Sequence, residues 1–591
     1  IYRQAMCAKA LGDKKSELKR YQQLFKHYST NKLAPEAKYQ AGQIIVDENP
    51  NLALKYFQSV SKSNIDDDYK IAADYYKARI AASKIRYSNK ILSRAKVAGV
   101  EKSFRHYLQT VPDGRLAVSV AVNWKKFNPN IKSEDVIYLV RAYYLAGLYK
   151  DAMALVPKAK TDEVWALKAS SLYKLYDYQN VKNIVEEGVV KYSDNVDVSD
   201  YRRAVDDYVN LYDSQGDKLK YTTKLLSLAK GKKKDYIWNK KCSLVQSKDK
   251  FVCYRDLYKN FPDGDFAENA MVQVFMIGVR NKNYQKCKDL AQEFLKKYPD
   301  SKFVPQVMFW AGKIEQTYYH SPKYSEYFQN IINNYPDSYY AYRAYWMLKG
   351  VHSSTIPATL EFKPVEYPYR YPDKNSVLYH LIEVQDYDMI LKYTDDEFIK
   401  SWVEFQKGNY ATSMIIAREA MDKIKVKPPK TDLRWRLVYP QNYYKQVQNY
   451  AAQYNNNDAL MMAIIREESS FNSDAQSGVG AIGLMQLMPS TAHDIGQKHG
   501  ITFNTSYLFN PELNIRLGNL YYSTIKGMLN NMDVSAIAAY NGGIGSVTRW
   551  KSTFLYNDTD EFVEQIPYDE TKNYVEKVFR SYWNYTRIYQ K

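Results

Sequence analysis

Apolar residues recur along this chain at three- and four-residue spacing over long stretches, and few runs alternate as a half-buried strand would. The pattern predicts an all-α protein. Its middle carries regular punctuation: Phe261-Pro262-Asp263-Gly264, Tyr298-Pro299-Asp300-Ser301 and Tyr335-Pro336-Asp337-Ser338, with a related Val111-Pro112-Asp113-Gly114 earlier. Two successive intervals between the prolines are the same 37 residues (262 to 299, 299 to 336). Pro ends a helix, and the polar residue after it starts a new one. A repeat of this length predicts stacked helical hairpins, a solenoid of the tetratricopeptide kind. Pro357, Pro364, Pro368 and Pro372 then break the helical pattern between 353 and 375.

One amphipathic segment carries chemistry. Asn455, Asn456, Asn457 and Asp458 supply capping side chains, and Ala459 to Glu468 contains no Gly, Pro or Thr to interrupt a helix. Met461, Ile464 and Ile465 stand seven, four and three residues before Glu468 and share its face. A carboxyl on an apolar stripe is poorly solvated, so its pKa is expected to rise toward neutrality, where it can act as a general acid. Periodicity does not choose between Glu467 and Glu468, because Leu460, Ala463 and Ile464 precede Glu467 at the same offsets. Downstream, Gly478, Gly480 and Gly483 allow a tight turn or a close approach to a ligand. No Lys-Ser or Lys-Thr follows in Walker spacing and no obvious strand precedes, which argues against a nucleotide loop. Leu484, Leu487 and Met488 read as packing residues of a following helix, with Gln486 the polar exception.

Composition changes this picture little. The formal charge of +19 makes a basic surface, which attracts polyanions. No zinc-finger spacing, RNA-recognition motif or clear helix-turn-helix accompanies it, so nucleic acid is not the expected partner. The 58 tyrosines are too many for a binding box and read mostly as helix packing. No run approaches 18 apolar residues, so no membrane span is expected. Cys7, Cys242, Cys253 and Cys287 form no metal or redox motif. A disulfide between Cys242 and Cys253 across a short helical hairpin and free buried thiols both remain open. Ile1 already lies inside a helical pattern, as in a processed or trimmed chain.

Four groups of residues carry a family resemblance. They are Glu468-Ser469; Ser477 with Gly483-Leu484-Met485-Gln486-Leu487-Met488-Pro489 and Thr491-Ala492; Asn510-Pro511-Glu512 with Asn514 and Gly518; and Ala539-Tyr540-Asn541-Gly542-Gly543 with Ile566-Pro567-Tyr568-Asp569-Glu570-Thr571 and Tyr574-Val575. This set resembles the signature of lytic transglycosylases (glycoside hydrolase family 23), enzymes that cut the glycan strands of bacterial peptidoglycan. One departure is Gly542-Gly543-Ile544, where many members have Ala and Pro after the Asn. The resemblance covers about a quarter of the chain.

The resemblance selects Glu468 as the catalytic acid, since the family's acid directly precedes the Ser that matches Ser469. It implies that Gln486 and Met488 line the subsites beside the scissile bond and that Ser477 sits near the acid. An amide such as that of Gln486 can both donate to and accept from sugar hydroxyl and acetamido groups. Tyr540 is implied to place its hydroxyl near Glu468, and Asn541 to contact an N-acetyl group. Glu570 is placed close to the cleft, with a structural hydrogen-bonding role as the alternative. His493 and His499 receive no role. The implied reaction breaks the β-1,4 bond between N-acetylmuramic acid and N-acetylglucosamine. Glu468 acts first as acid and then as base, closing a 1,6-anhydro ring without water. A second carboxylate, which most glycosidases use, is not required. A lysozyme-type muramidase, as in the goose-type lysozymes, is the alternative, and an inactive wall-binding scaffold a further one.

Large soluble members of the family are similar in plan: an α-superhelical domain, here 1–355, a helical linker domain, 356–436, and a lysozyme-like catalytic domain, 437–591. The expected partners are peptidoglycan strands and their carboxylate-bearing stem peptides, with the superhelix as a surface for cell-wall synthesis proteins. No cofactor or metal is expected, the chain is read as a monomer, and its expected place is the periplasm of a Gram-negative bacterium.

Overall fold

The computed structural model describes residues 1–86, 94–350, 360–366, 368–554, 556 and 558–590. The expected domain boundary at 355/356 and Pro357 lie outside them. The fold is all-α: among the described residues the only extended pairings are isolated bridges such as Leu360 with Gln590. No described helix is long and apolar enough to cross a bilayer. Two compact units divide at Met271 and Val272.

The first unit is built from helical hairpins, beginning with Tyr2–Ala10, Lys14–His27, Ala34–Ile45 and Pro50–Ser61. Short polar residues start many of them. Asp13 accepts from the Ser16 amide and Asn49 from that of Leu52, which satisfies donors that a helix start leaves open. Their inner faces build one core around Phe57, Phe104, Leu108 and Trp124 and another around Trp165, Val185, Tyr201 and Tyr208. Tyr201 and Tyr208 have no exposed surface, so the abundant tyrosines do serve as packing. The helices Lys234–Leu244 and Ser247–Asn260 are joined by a Cys242–Cys253 disulfide, which closes the question the sequence left open.

The proline punctuation stops helices as predicted, but its polar residue caps the fresh helix only in part: Ser338 accepts from the Ala341 amide, whereas the helix from Val304 follows Phe303, which makes no side-chain cap. Phe261, Tyr298 and Tyr335 each cap the end of a helix, with φ of -129°, -127° and -129°. Each donates its amide four residues back, to Leu257, Phe294 and Ile331. The next helices start at Ala267, Val304 and Tyr339.

The second unit opens with hairpins of this kind, including Val304–Thr317, Tyr324–Asn334 and Tyr339–Leu348. Short helices between Val377 and Asp422 follow. The C-terminal segment then folds around Asp458–Ser469, which we term the acid helix, and the last helix, Asp569–Tyr589. These two pack against each other, and the last helix also packs against Tyr339–Leu348 and Asp533–Gly542. The third proline turn docks this helix directly. Trp583 Nε1 donates to the Pro336 carbonyl at 2.9 Å, and the Tyr342 ring stacks on Phe579. The last helix thus ties the hairpins to the acid helix within one unit.

Candidate active site

The acid helix begins at the Asn457 cap, whose side chain accepts from the Leu460 amide at 3.0 Å, and ends at Ser470 in the left-handed region. Every residue from Ala459 to Ile465 is fully buried. A helix buried on all sides delivers its terminal carboxyls into a poorly solvated place.

The two adjacent glutamates meet different neighbours there. Glu467 is bound by Arg466 at 2.5 Å and accepts from Ser581 Oγ at 2.5 Å. Burial alone would raise its pKa, but the charges of Arg466 and Arg580 outweigh burial and hold it below the ordinary value. Glu467 is therefore a fixed carboxylate. Arg466 is itself anchored by the Val438 carbonyl and lies over the Tyr439 ring. Glu468 has no cation among its neighbours of this kind. Its Oε1 accepts from the Tyr574 hydroxyl at 2.5 Å. Burial, with a smaller push from the Glu467 charge and against the Tyr574 hydrogen bond, raises it to about 7. A carboxyl so placed exchanges its proton near neutral pH, which lets one group serve as acid and then as base.

The loop after the acid helix is held by side chains that the sequence reading had not assigned. Asn514, fully buried, accepts from the Met485 amide at 2.8 Å and donates to the Ile482 and Leu508 carbonyls at 3.0 and 2.8 Å. Gly518 on the same helix meets Met485 so closely that an added Cβ would lie 2.2 Å from its sulfur. Gly483 has a φ of +80°, and a Cβ there would lie 2.4 Å from the Leu508 carbonyl oxygen, which is backbone and cannot move aside. Gly483→Ala is expected to cost about 2 kcal/mol or more, because left-handed strain and a backbone clash add. Thermal unfolding of the full chain would show it as a lowered midpoint.

The remaining expected residues fall as follows. Ser477 Oγ accepts from the Ala481 amide at 2.9 Å, closing the Gly478–Gly480 turn. Gln486 lies in the loop, not on a helix, with φ of +47°. Its Nε2 donates to the Ala475 and Gly483 carbonyls at 3.1 and 2.8 Å. Leu484 and Leu487 are buried, but they too precede the helix Pro489–Lys498, and Met488 is its 40% exposed N-cap. The expectation that these residues pack on a helix is thus corrected: Pro489 takes the first helical position and leaves Leu484 to Met488 as loop. The Tyr540 hydroxyl donates to the Met485 carbonyl at 2.8 Å rather than to Glu468. Burial and then the Glu468 charge push that phenol well above its ordinary pKa. Asn541 is exposed, and its Oδ1 accepts from Thr571 at 2.7 Å. Glu570 is exposed in the first turn of the last helix. His493 and His499 are exposed.

Tyr574, in the sequence only a motif position, is the group that contacts the acid. The acid it touches is 106 residues away, so no local spacing could reveal the pairing. The signal available was a tyrosine on the buried face of a strongly amphipathic last helix, three residues after Thr571.

An acid on a buried helix, a glycine loop pinned by a buried amide and a tyrosine on the last helix together make a site with one carboxyl able to exchange its proton near neutral pH. The family described as Transglycosylase SLT domain matches residues 445–563. That stretch holds Glu468, Ser477, Gln486, Met488, Tyr540 and Asn541 but ends before Glu570 and Tyr574. The putative soluble lytic murein transglycosylase of Haemophilus influenzae is 32% identical over 200 residues, which are 34% of this chain and 31% of that protein. The soluble lytic murein transglycosylase of Escherichia coli K12 is 39% identical over 129 residues, 21% of this chain and 20% of that one. The aligned stretches thus span about a third or less of these curated relatives. Among solved structures, an inactive Glu-to-Gln mutant of the lytic transglycosylase Slt from Pseudomonas aeruginosa superposes with a TM-score of 0.62 at 16% identity, covering 98% of this chain and 93% of that one. The 70 kDa soluble lytic transglycosylase of E. coli superposes at 0.52 with 14% identity, covering 100% and 97%. Residues 445–563 thus match the SLT domain family, and the chain shares the fold of these two large lytic transglycosylases.

Proposed function

We propose that the chain is a peptidoglycan lytic transglycosylase that uses Glu468 as its single acid and base. The observation that carries this reading is the pair of glutamates. Glu467 is locked as a carboxylate by Arg466, while Glu468, held only by a hydroxyl, keeps a proton to near neutral pH. The names of the relatives support it, as does the inactivity of the Glu-to-Gln Pseudomonas protein.

In the proposed reaction Glu468 gives its proton to the glycosidic oxygen as the bond from C1 of N-acetylmuramic acid breaks. The sugar's acetamido oxygen supports C1 from the opposite face. The Glu468 carboxylate then takes the proton of the C6 hydroxyl while O6 closes on C1. Glu468 ends as it began, and no water is consumed. Tyr574 steadies the carboxyl through both proton transfers. Asp474 and Asp494, the other acids of the loop region, are exposed and have no part in this scheme. The large positive charge gathers a polymer whose stem peptides carry carboxylates. A periplasmic setting in a Gram-negative bacterium accords with the organisms of the relatives and with the disulfide.

Mass spectrometry of soluble products released from purified peptidoglycan tests the proposal. Muropeptides ending in 1,6-anhydro-N-acetylmuramic acid are expected. Products heavier by one water, with a reducing end, would make the protein a lysozyme-type muramidase instead.

A further inference from the structure

The short helix Thr559–Gln565 places two carboxylates in a buried cluster built by the hairpins of the same unit. Asp560 accepts from Arg343 Nε at 2.5 Å and from Lys313 Nζ at 2.7 Å, and all three side chains are 5% exposed or less. Lys313 also pairs with Asp558 at 2.6 Å. Glu564 accepts from Trp310 Nε1 at 2.9 Å and from the Tyr340 hydroxyl at 3.2 Å, and it is bound by Lys572. Lys572 stands on the last helix, between Thr571, which donates to Asn541, and Tyr574, which donates to Glu468. Two sets of short polar contacts, one on Asp560 and one on Glu564, are therefore joined by the backbone of the short helix, and the last helix carries the second set from Lys572 on to Tyr574 and the proposed acid.

We infer that Lys313 and Arg343 are positioning residues for Glu468: by gripping Asp560 they fix the short helix, Lys572 and hence the reach of the Tyr574 hydroxyl. The inference rests on the proposed role of Glu468. Buried charges set geometry strictly, because a displaced partner leaves an ion unpaired in a dry place. Their effect reaches Glu468 through Tyr574 alone; the other ionisable groups facing the acid are Glu467, fixed by Arg466, and Tyr540.

The test uses the full chain with Arg343→Gln/Asp560→Asn, which removes the guanidinium together with the carboxylate it holds and leaves Lys313 to Asp558. The proton release of Glu468 is followed by carbon NMR of labelled glutamate. A Glu468→Gln spectrum separates its signal from that of Glu576, which burial also pushes up to about 7. The expected result is a folded chain whose Glu468 releases its proton at higher pH, as in Tyr574→Phe, with kcat lowered roughly tenfold or more and KM little changed. In a Tyr574→Phe background the same double substitution should add nothing. Unchanged titration and kcat in the folded variant would overturn the inference, as would an equal shift when Tyr574 is already absent. Should the double variant not fold, Arg343→Lys keeps the charge but loses the planar fork, and a smaller shift in the same direction is expected; no shift would overturn the inference. If the wild-type chain releases no muropeptides, the functional proposal fails, while the titration still decides whether the clamp positions Glu468.

Discussion

Glu468→Gln is expected to reduce product release by at least about a thousandfold, because it removes the one group that both gives and takes the proton. The amide keeps the shape of the side chain and can still accept from Tyr574, so glycan binding and fold should survive. The same substitution should stabilise the protein at alkaline pH. The carboxyl of Glu468 is raised by burial to about 7 from an ordinary 4.5. Below 4.5 the folded and unfolded chains both hold the proton, and the group contributes nothing. Between these values the unfolded chain is ionised while the native chain is not, so native stability falls as pH rises. Above 7 the full cost of ionising the buried group remains, on the order of 3 kcal/mol. A Gln variant with a higher melting midpoint at pH 8, an unchanged one at pH 4, and no activity at either would match this account. Glu467→Gln should do the opposite. It strands the buried Arg466 guanidinium, so stability falls, and it removes the smaller push of the Glu467 charge, so Glu468 should release its proton at lower pH while remaining the acid. A Glu468→Gln protein with near-normal turnover would sink the assignment.

Why the sequence alone favoured one glutamate only by resemblance is now clear in physical terms. Both sit on buried helix faces, so the hydrophobic stripe was no discriminator. What separates them is charge. Arg466 was visible one residue before Glu467, but the Ser581 hydroxyl and Arg580 that complete its setting lie more than 110 positions further on. The loop shows the same division. Its glycines were legible because left-handed φ leaves few other choices, as at Gly483. Its anchor, Asn514, was not, since a buried asparagine inside a helical pattern reads as an ordinary polar residue until its three backbone partners are known. The helical hairpins were the most legible feature, because a proline stop and a polar start act locally. Which surface a hairpin turn would meet was beyond local reading, and the docking of Trp583 on the Pro336 carbonyl is an example.

The hairpin–SLT contact predicts the largest effect on stability. Asp560→Ala is expected to cost about 3–5 kcal/mol, the range for breaking a buried ion pair from one side. Lys313 would retain Asp558, but Arg343 would be left as a guanidinium in an apolar setting, with 3% of the residue exposed. Denaturant unfolding followed by tryptophan fluorescence would report it, since Trp310 and Trp583 flank the contact. The pH dependence gives a second signature. Burial would raise the Asp560 pKa, but Arg343 and Lys313 outweigh burial and hold it well below the ordinary carboxylate range. Its contribution to stability is therefore complete above the unfolded value of 3.8 and is lost only as pH falls through the depressed native value. The wild-type chain should thus keep this contact in mild acid, whereas Asp560→Ala should be weakened equally at pH 5 and pH 8. If Asp560→Ala unfolds at the wild-type denaturant concentration, the Asp560 ion pairs contribute nothing net, and the hairpins and the C-terminal segment are held together by the Glu564 contacts, the Trp583–Pro336 hydrogen bond and the aromatic contacts of Tyr342, Phe579 and Trp583.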